Sequence, residues 1–138
     1  CESVLVLPHS NQLLANPALA GNLRAFVDAA SARGQCVAIK YHPRESQPDP
    51  AGLLAGSNTL ALPTLLPMEL LLPLLRCGAL VTGEGSTALL AASWLRPDLK
   101  VFDLGLSRGG YAARAAELFA RNGITKADDN LPGFIGPD

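Results

Sequence analysis

Ala79-Leu80-Val81-Thr82-Gly83-Glu84-Gly85-Ser86-Thr87-Ala88-Leu89-Leu90-Ala91-Ala92 is the stretch that decides the fold. It reads as an apolar strand, a glycine turn, two hydroxyls and a run of strong helix formers. Glycines permit positive φ and let another group approach the backbone closely. The first N–H groups of the helix have no intrahelical partner and carry the positive end of its dipole. Ser86 or Thr87 can cap the helix, and either hydroxyl can also face an anion such as a phosphate. An ordinary strand-to-helix turn with a serine cap and nothing bound accounts for the same residues.

Outward from this stretch, apolar runs alternate with helical patterns. Residues 3–7, bounded by Pro8, read as a buried parallel strand, followed by a polar loop over residues 8–12. Pro17 opens a helix on which Leu19, Leu23, Phe26, Val27 and Ala30 share one face, and Arg33-Gly34 closes it. A second strand over residues 36–39 runs into Lys40-Tyr41-His42-Pro43-Arg44-Glu45. Pro43 keeps His42 out of helical geometry. A Pro- and Gly-rich loop follows, with a short helical turn at residues 51–54, and residues 59–62 form a short third strand. Pro67 suits the first position of a helix that Gly78 ends and Pro73 kinks, because Pro73 has no N–H for the carbonyl of Glu69. Residues 79–82 and 100–103 are the fourth and fifth strands, and the helix between them stops before Pro97. A last helix spans residues 111–121. The domain is taken as residues 1–123, with 124–138 an acidic extended tail.

This alternation predicts an α/β fold, a Rossmann-like parallel sheet of about five strands with helices on both faces. Right-handed crossovers favour the order 3-2-1-4-5, with the switch point between the first and fourth strands. Ligands bind outside the carboxyl ends at such a point. Loops 8–12, 40–45 and 83–87 all reach that edge.

The 138 residues suit one domain, with a core of Leu, Ala and Val because aromatics are only 5% of the chain. A net charge of −1 gives no basic footprint for nucleic acid. Cys1, Cys36 and Cys77 lack metal-ligand spacing. Cys36 and Cys77 lie in apolar runs and read as buried free thiols, which suggests a reducing compartment. No apolar run is long enough to span a bilayer, no signal-peptide pattern is present, and the start at Cys1 reads as a cut from a longer protein. Such a cut predicts an exposed face where another domain sat.

Among polar residues, His42 is the strongest candidate for chemistry. It could donate to a phosphate oxygen or protonate a leaving phosphate; a loop histidine with no task is the plain alternative. Lys40 and Arg44 could add charge to the same anion, or be solvated surface charges. His9 is weaker, since nothing in the sequence fixes its direction. Glu69 could accept two ribose hydroxyls or merely suit the helix dipole. Glu84 would repel a phosphate unless it points away, so it is expected to be exposed or to touch a sugar or base. The dinucleotide fingerprint, the P-loop and the Gly-x-Ser-x-Gly elbow are missing.

His42-Pro43 after a strand, Pro67-Met68-Glu69 opening a helix and Ser86-Thr87 after a glycine turn occur in this order. Together they resemble the carboxyl-terminal, nucleotide-binding half of bacterial sialyltransferases of the two-Rossmann-domain (GT-B) architecture. The capsular polysialyltransferases and lipooligosaccharide sialyltransferases are the nearest in look, over roughly residues 4–103. The resemblance implies a glycosyltransferase with CMP-sialic acid as donor, no metal or other cofactor, and a surface glycan as acceptor. It gives His42 the catalytic role of contacting the CMP phosphate and assisting its departure. Ser86 and Thr87 would bind the same phosphate and Glu69 the nucleoside; Gly85, Pro43 and Ser10 complete the expected donor-binding set. Family members commonly carry adjacent serines where this chain has Ser86-Thr87. Their acidic general base and acceptor side lie in an amino-terminal domain that this chain lacks, so the chain alone is expected to bind donor without turnover. The implied place is cytoplasmic, or peripheral at the inner membrane for a longer parent protein. Rival readings are a transferase of CDP-glycerol or of another nucleotide sugar, and a nucleotide-binding or protein-interaction domain without chemistry.

Overall fold

The computed structural model describes residues 1–56, 58–84, 86–104 and 110–126, with the helical backbone alone for 110–113. Six strands form a single sheet: β1 (Ser3–Val6), β2 (Val37–Lys40), β3 (Thr59–Ala61), β4 (Leu80–Gly83), β5 (Lys100–Asp103) and β6 (Thr125–Lys126). Their order is β3-β2-β1-β4-β5-β6 and every pair is parallel. The five expected strands thus take the expected order, and β1 lies between β2 and β4 at the switch point.

The alternation of side chains along each strand divides the core in two. Leu5, Val37, Ile39 and Leu80 pack on one face with Leu13, Leu19, Leu23, Phe26 and Val27. These helical residues come from α1 (Ser10–Ala15) and α2 (Pro17–Ala32). Val4, Val6, Ala38, Val81 and Val101 pack on the other face with Met68, Leu71, Leu89, Leu90 and Phe119. Those belong to α3 (Met68–Leu71), α4 (Thr87–Leu95) and α5 (Gly110–Arg121). Phe26 is only 1% exposed, and its truncation to Ala would cost about 3–5 kcal/mol.

Several expectations are corrected. Part of the expected polar loop at residues 8–12 is helix, because the His9 side chain accepts from the Asn11 N–H and caps α1. Asn16 then caps α2 by accepting from the Leu19 N–H, with Pro17 at the helix start. Pro67 is the cap of α3 rather than its first residue. The helix expected to reach Gly78 ends far earlier: α3 has four residues and tightens into a 3₁₀ turn, Leu72–Leu74. Pro73 explains this, since the α pattern needs the N–H it lacks. Arg96 Nη1 then donates to the Leu72 and Leu75 carbonyls, at 2.6 and 3.1 Å, satisfying the open end.

The domain also runs past residue 123. Ile124 is 2% exposed and Thr125–Lys126 adds a strand beside β5. Residues 127–138 of the expected tail lie outside the described residues. Cys36 is not a free thiol but is bonded to Cys1, and Cys77 is exposed. The thiols therefore give no argument for a reducing compartment. Among the described residues no helix is long and apolar enough to cross a membrane.

Candidate functional site

β2 ends at Lys40, and the chain turns sharply two residues later. The Glu45 N–H donates to the His42 carbonyl at 2.9 Å, closing a four-residue turn with Pro43 at its second position. Proline pre-sets φ for that position. His42 Nδ1 accepts from the Arg44 N–H at 3.1 Å. The neutral ring therefore carries its proton on Nε2, which has no partner among the described residues. Burial, the Arg44 charge and then His9 push the His42 pKa below its ordinary value of 6.5, against the opposing pull of Glu45. At neutral pH the ring is a neutral Nε2–H donor.

Glu45 fastens this turn to the loop after β1. Its Oε2 accepts from the Ser10 N–H at 3.0 Å, and its Oε1 accepts from the N–H groups of Ser46 and Gln47. These donors, that of Gln47 foremost, hold its pKa down to about 2. Ser10 is thus part of a structural tie and is absent from the cleft wall described below. Tyr41, 2% exposed, donates its hydroxyl proton to Asp49, and Asp49 in turn accepts from the N–H groups of Leu53 and Leu54. Burial foremost, with Asp49, drives the Tyr41 pKa strongly upward, so the phenol stays protonated.

The glycine turn is built differently from the expectation. Gly83 is the last residue of β4 and sits opposite Val6 of β1. A Cβ at Gly83 would stand 2.5 Å from the Val6 carbonyl oxygen. Close strand approach, not a ligand, is what requires this glycine. Glu84 is 9% exposed, which removes the solvent-open half of its expectation and leaves contact with a sugar or base as the other half. Gly85 lies outside the described residues. Ser86 caps α4, its Oγ accepting from the Ala88 N–H at 3.2 Å. A hydroxyl that accepts there keeps its own proton to donate. The Leu89 N–H goes to the Ser86 carbonyl, which leaves the Thr87 N–H as the open donor of the first turn among the described residues.

These pieces meet in one cleft of about 360 Å³ at the carboxyl edge of the sheet. His42 and Pro43 line one side, Ser86 and Thr87 another, and Glu69 in the first turn of α3 a third. Glu69 is exposed and its carboxylate has no bonded partner among the described residues. Leu65, on the cleft wall, is 82% exposed, and Leu70 and Leu74 farther along are exposed too.

Lys40 also lines the cleft, yet it is only 4% exposed, so it is not the solvated surface charge that a lysine usually is. Its Nζ donates to the Thr64 carbonyl at 2.6 Å and the Tyr41 carbonyl at 3.3 Å, and no carboxylate pairs with it among the described residues. Burial lowers its pKa. An ammonium has three donors, so one remains.

No known family model, curated protein or solved structure matches this chain. Among the described residues no cluster of three or more His, Cys, Asp or Glu is placed to hold a metal ion.

Proposed function

We propose that this chain is the donor-binding domain of a sialyltransferase-like glycosyltransferase that holds CMP-sialic acid at the switch point. One observation carries the reading: His42, Glu69, Ser86 and Thr87, far apart in sequence and on three different elements, line a single cleft at the carboxyl edge. The Thr87 N–H, the two hydroxyls and the dipole of α4 suit a phosphate. The His42 Nε2–H would donate to another phosphate oxygen and, once protonated, assist its departure as the glycosidic bond to the phosphate breaks. The unpaired Glu69 carboxylate suits two ribose hydroxyls. The buried Lys40 supplies a cation with no internal counter-charge, which favours an anionic occupant. The acceptor glycan and the general base would belong to a further domain.

Calorimetric titration with CMP, UMP, AMP, GMP and CDP-glycerol tests this. Preference for CMP over the other monophosphates is the expected result. Tighter binding of CDP-glycerol would favour a transferase of that compound. Equal, weak binding of all five would remove the nucleotide reading.

A further inference from the structure

We propose that His9 is a second phosphate ligand, paired with His42 so that the two imidazoles hold one phosphate group between them. The inference rests on the nucleotide-phosphate reading for its occupant but on independent observations for its geometry. The His9 and His42 ring centroids are 5.6 Å apart, with the rings edge to face at 68°. Each Nδ1 accepts from the backbone N–H two residues onward, Asn11 for His9 at 3.2 Å and Arg44 for His42 at 3.1 Å. Both rings in the neutral form therefore carry the proton on Nε2, and neither Nε2 has a partner among the described residues.

With hydrogen bonds of about 2.8 Å, one phosphate group bridges donors up to roughly 8 Å apart. Two rings at this separation keep their Nε2 atoms within that span. His9 does not itself line the cleft and reaches its edge only beside His42; its direction, open in the sequence, is set by its cap to α1 and by that ring contact. The Glu45–Ser10 bond holds the two loops in this relation. The plain alternative is that His9 is only a helix cap.

His9→Asn separates the two roles, because Asn is a good cap and has no imidazole. Its helix content and thermal midpoint should match those of the unaltered protein. Its CMP affinity should fall roughly 10-fold while cytidine binding is unchanged. In the unaltered chain, saturating CMP and, separately, inorganic phosphate should each shift the ring C–H NMR signals of both histidines, and cytidine should shift neither. The inference is overturned if His9→Asn binds CMP as tightly as the original, or if phosphate and CMP leave the His9 signal in place. If inorganic phosphate moves both signals but CMP binds no better than phosphate, the histidine pair stands and the nucleotide reading falls.

Discussion

The two edges of the same sheet treat charge in opposite ways. At the amino edge, Glu2, Arg96 and Asp98 are paired and satisfied. Glu2 Oε2 accepts from the Cys36 N–H at 2.7 Å, and that bond foremost lowers its pKa. Arg96 grips Asp98 through two bonds, and the pair shifts toward its charged forms, Asp98 to about 2. At the carboxyl edge, burial foremost pushes the two basic groups Lys40 and His42 toward their neutral forms. Glu45, by contrast, is held ionised there by backbone donors and serves as a tie between loops. Charges matched by protein groups stabilise the fold. A desolvated cation without a counter-ion, Lys40, and an unpartnered imidazole N–H, that of His42, lack something an anionic ligand can provide.

If this contrast is sound, changes at the amino edge should alter stability and leave binding alone. Replacing Cys1 and Cys36 by Ser removes a cross-link between residues 35 apart, and denaturant unfolding should show a loss of about 2–4 kcal/mol. CMP affinity of the folded fraction should not change. Gly83→Ala strikes the joint between the edges. Its Cβ would meet the Val6 carbonyl, so stability should drop by about 1–3 kcal/mol and binding should weaken as α4 shifts.

At the carboxyl edge the pattern should reverse. Lys40→Met removes a buried cation without a counter-ion, so the thermal midpoint should hold or rise while CMP affinity falls by about 10-fold. A fall in both would mark Lys40 as a structural clasp for the Thr64 loop. The smallest effect concerns Glu45. Its folded pKa of about 2 lies below the ordinary 4.5, so its stabilising contribution is complete above pH 4.5 and is lost as pH falls through about 2. Glu45→Gln should therefore lower stability slightly across the neutral range, where the contribution is complete, and flatten the acid limb, so that the two proteins converge as pH falls through about 2.

The sheet was legible because the apolar runs at residues 3–7, 36–39, 79–82 and 100–103 are bounded by turns and separated by helical patterns. Crossover handedness then supplied their order. That order also contains the disulfide: Ser3 pairs with Val37, so Cys1 and Cys36 both lie just before the starts of neighbouring strands. Strand β6, two residues long, has no periodicity to find. The meeting of His42 and Pro43 with Ser86 and Thr87 followed from topology, whereas loop 8–12 does not line the cleft and Glu69 joined that set only through the resemblance. The burial of Lys40 did not, because its acceptor, the Thr64 carbonyl, sits in a loop after β3 whose path sequence does not encode. The role of His9 depended on a cap and a ring contact made only in the folded chain.

The central claim is that a nucleotide phosphate rests against His42 at the carboxyl edge. Titrating the unaltered chain and His42→Ala with CMP and with cytidine tests it most directly. The account predicts that His42→Ala loses about 10- to 100-fold in CMP affinity and nothing in cytidine affinity. Equal CMP binding by both proteins, or an equal loss for CMP and cytidine, would contradict it.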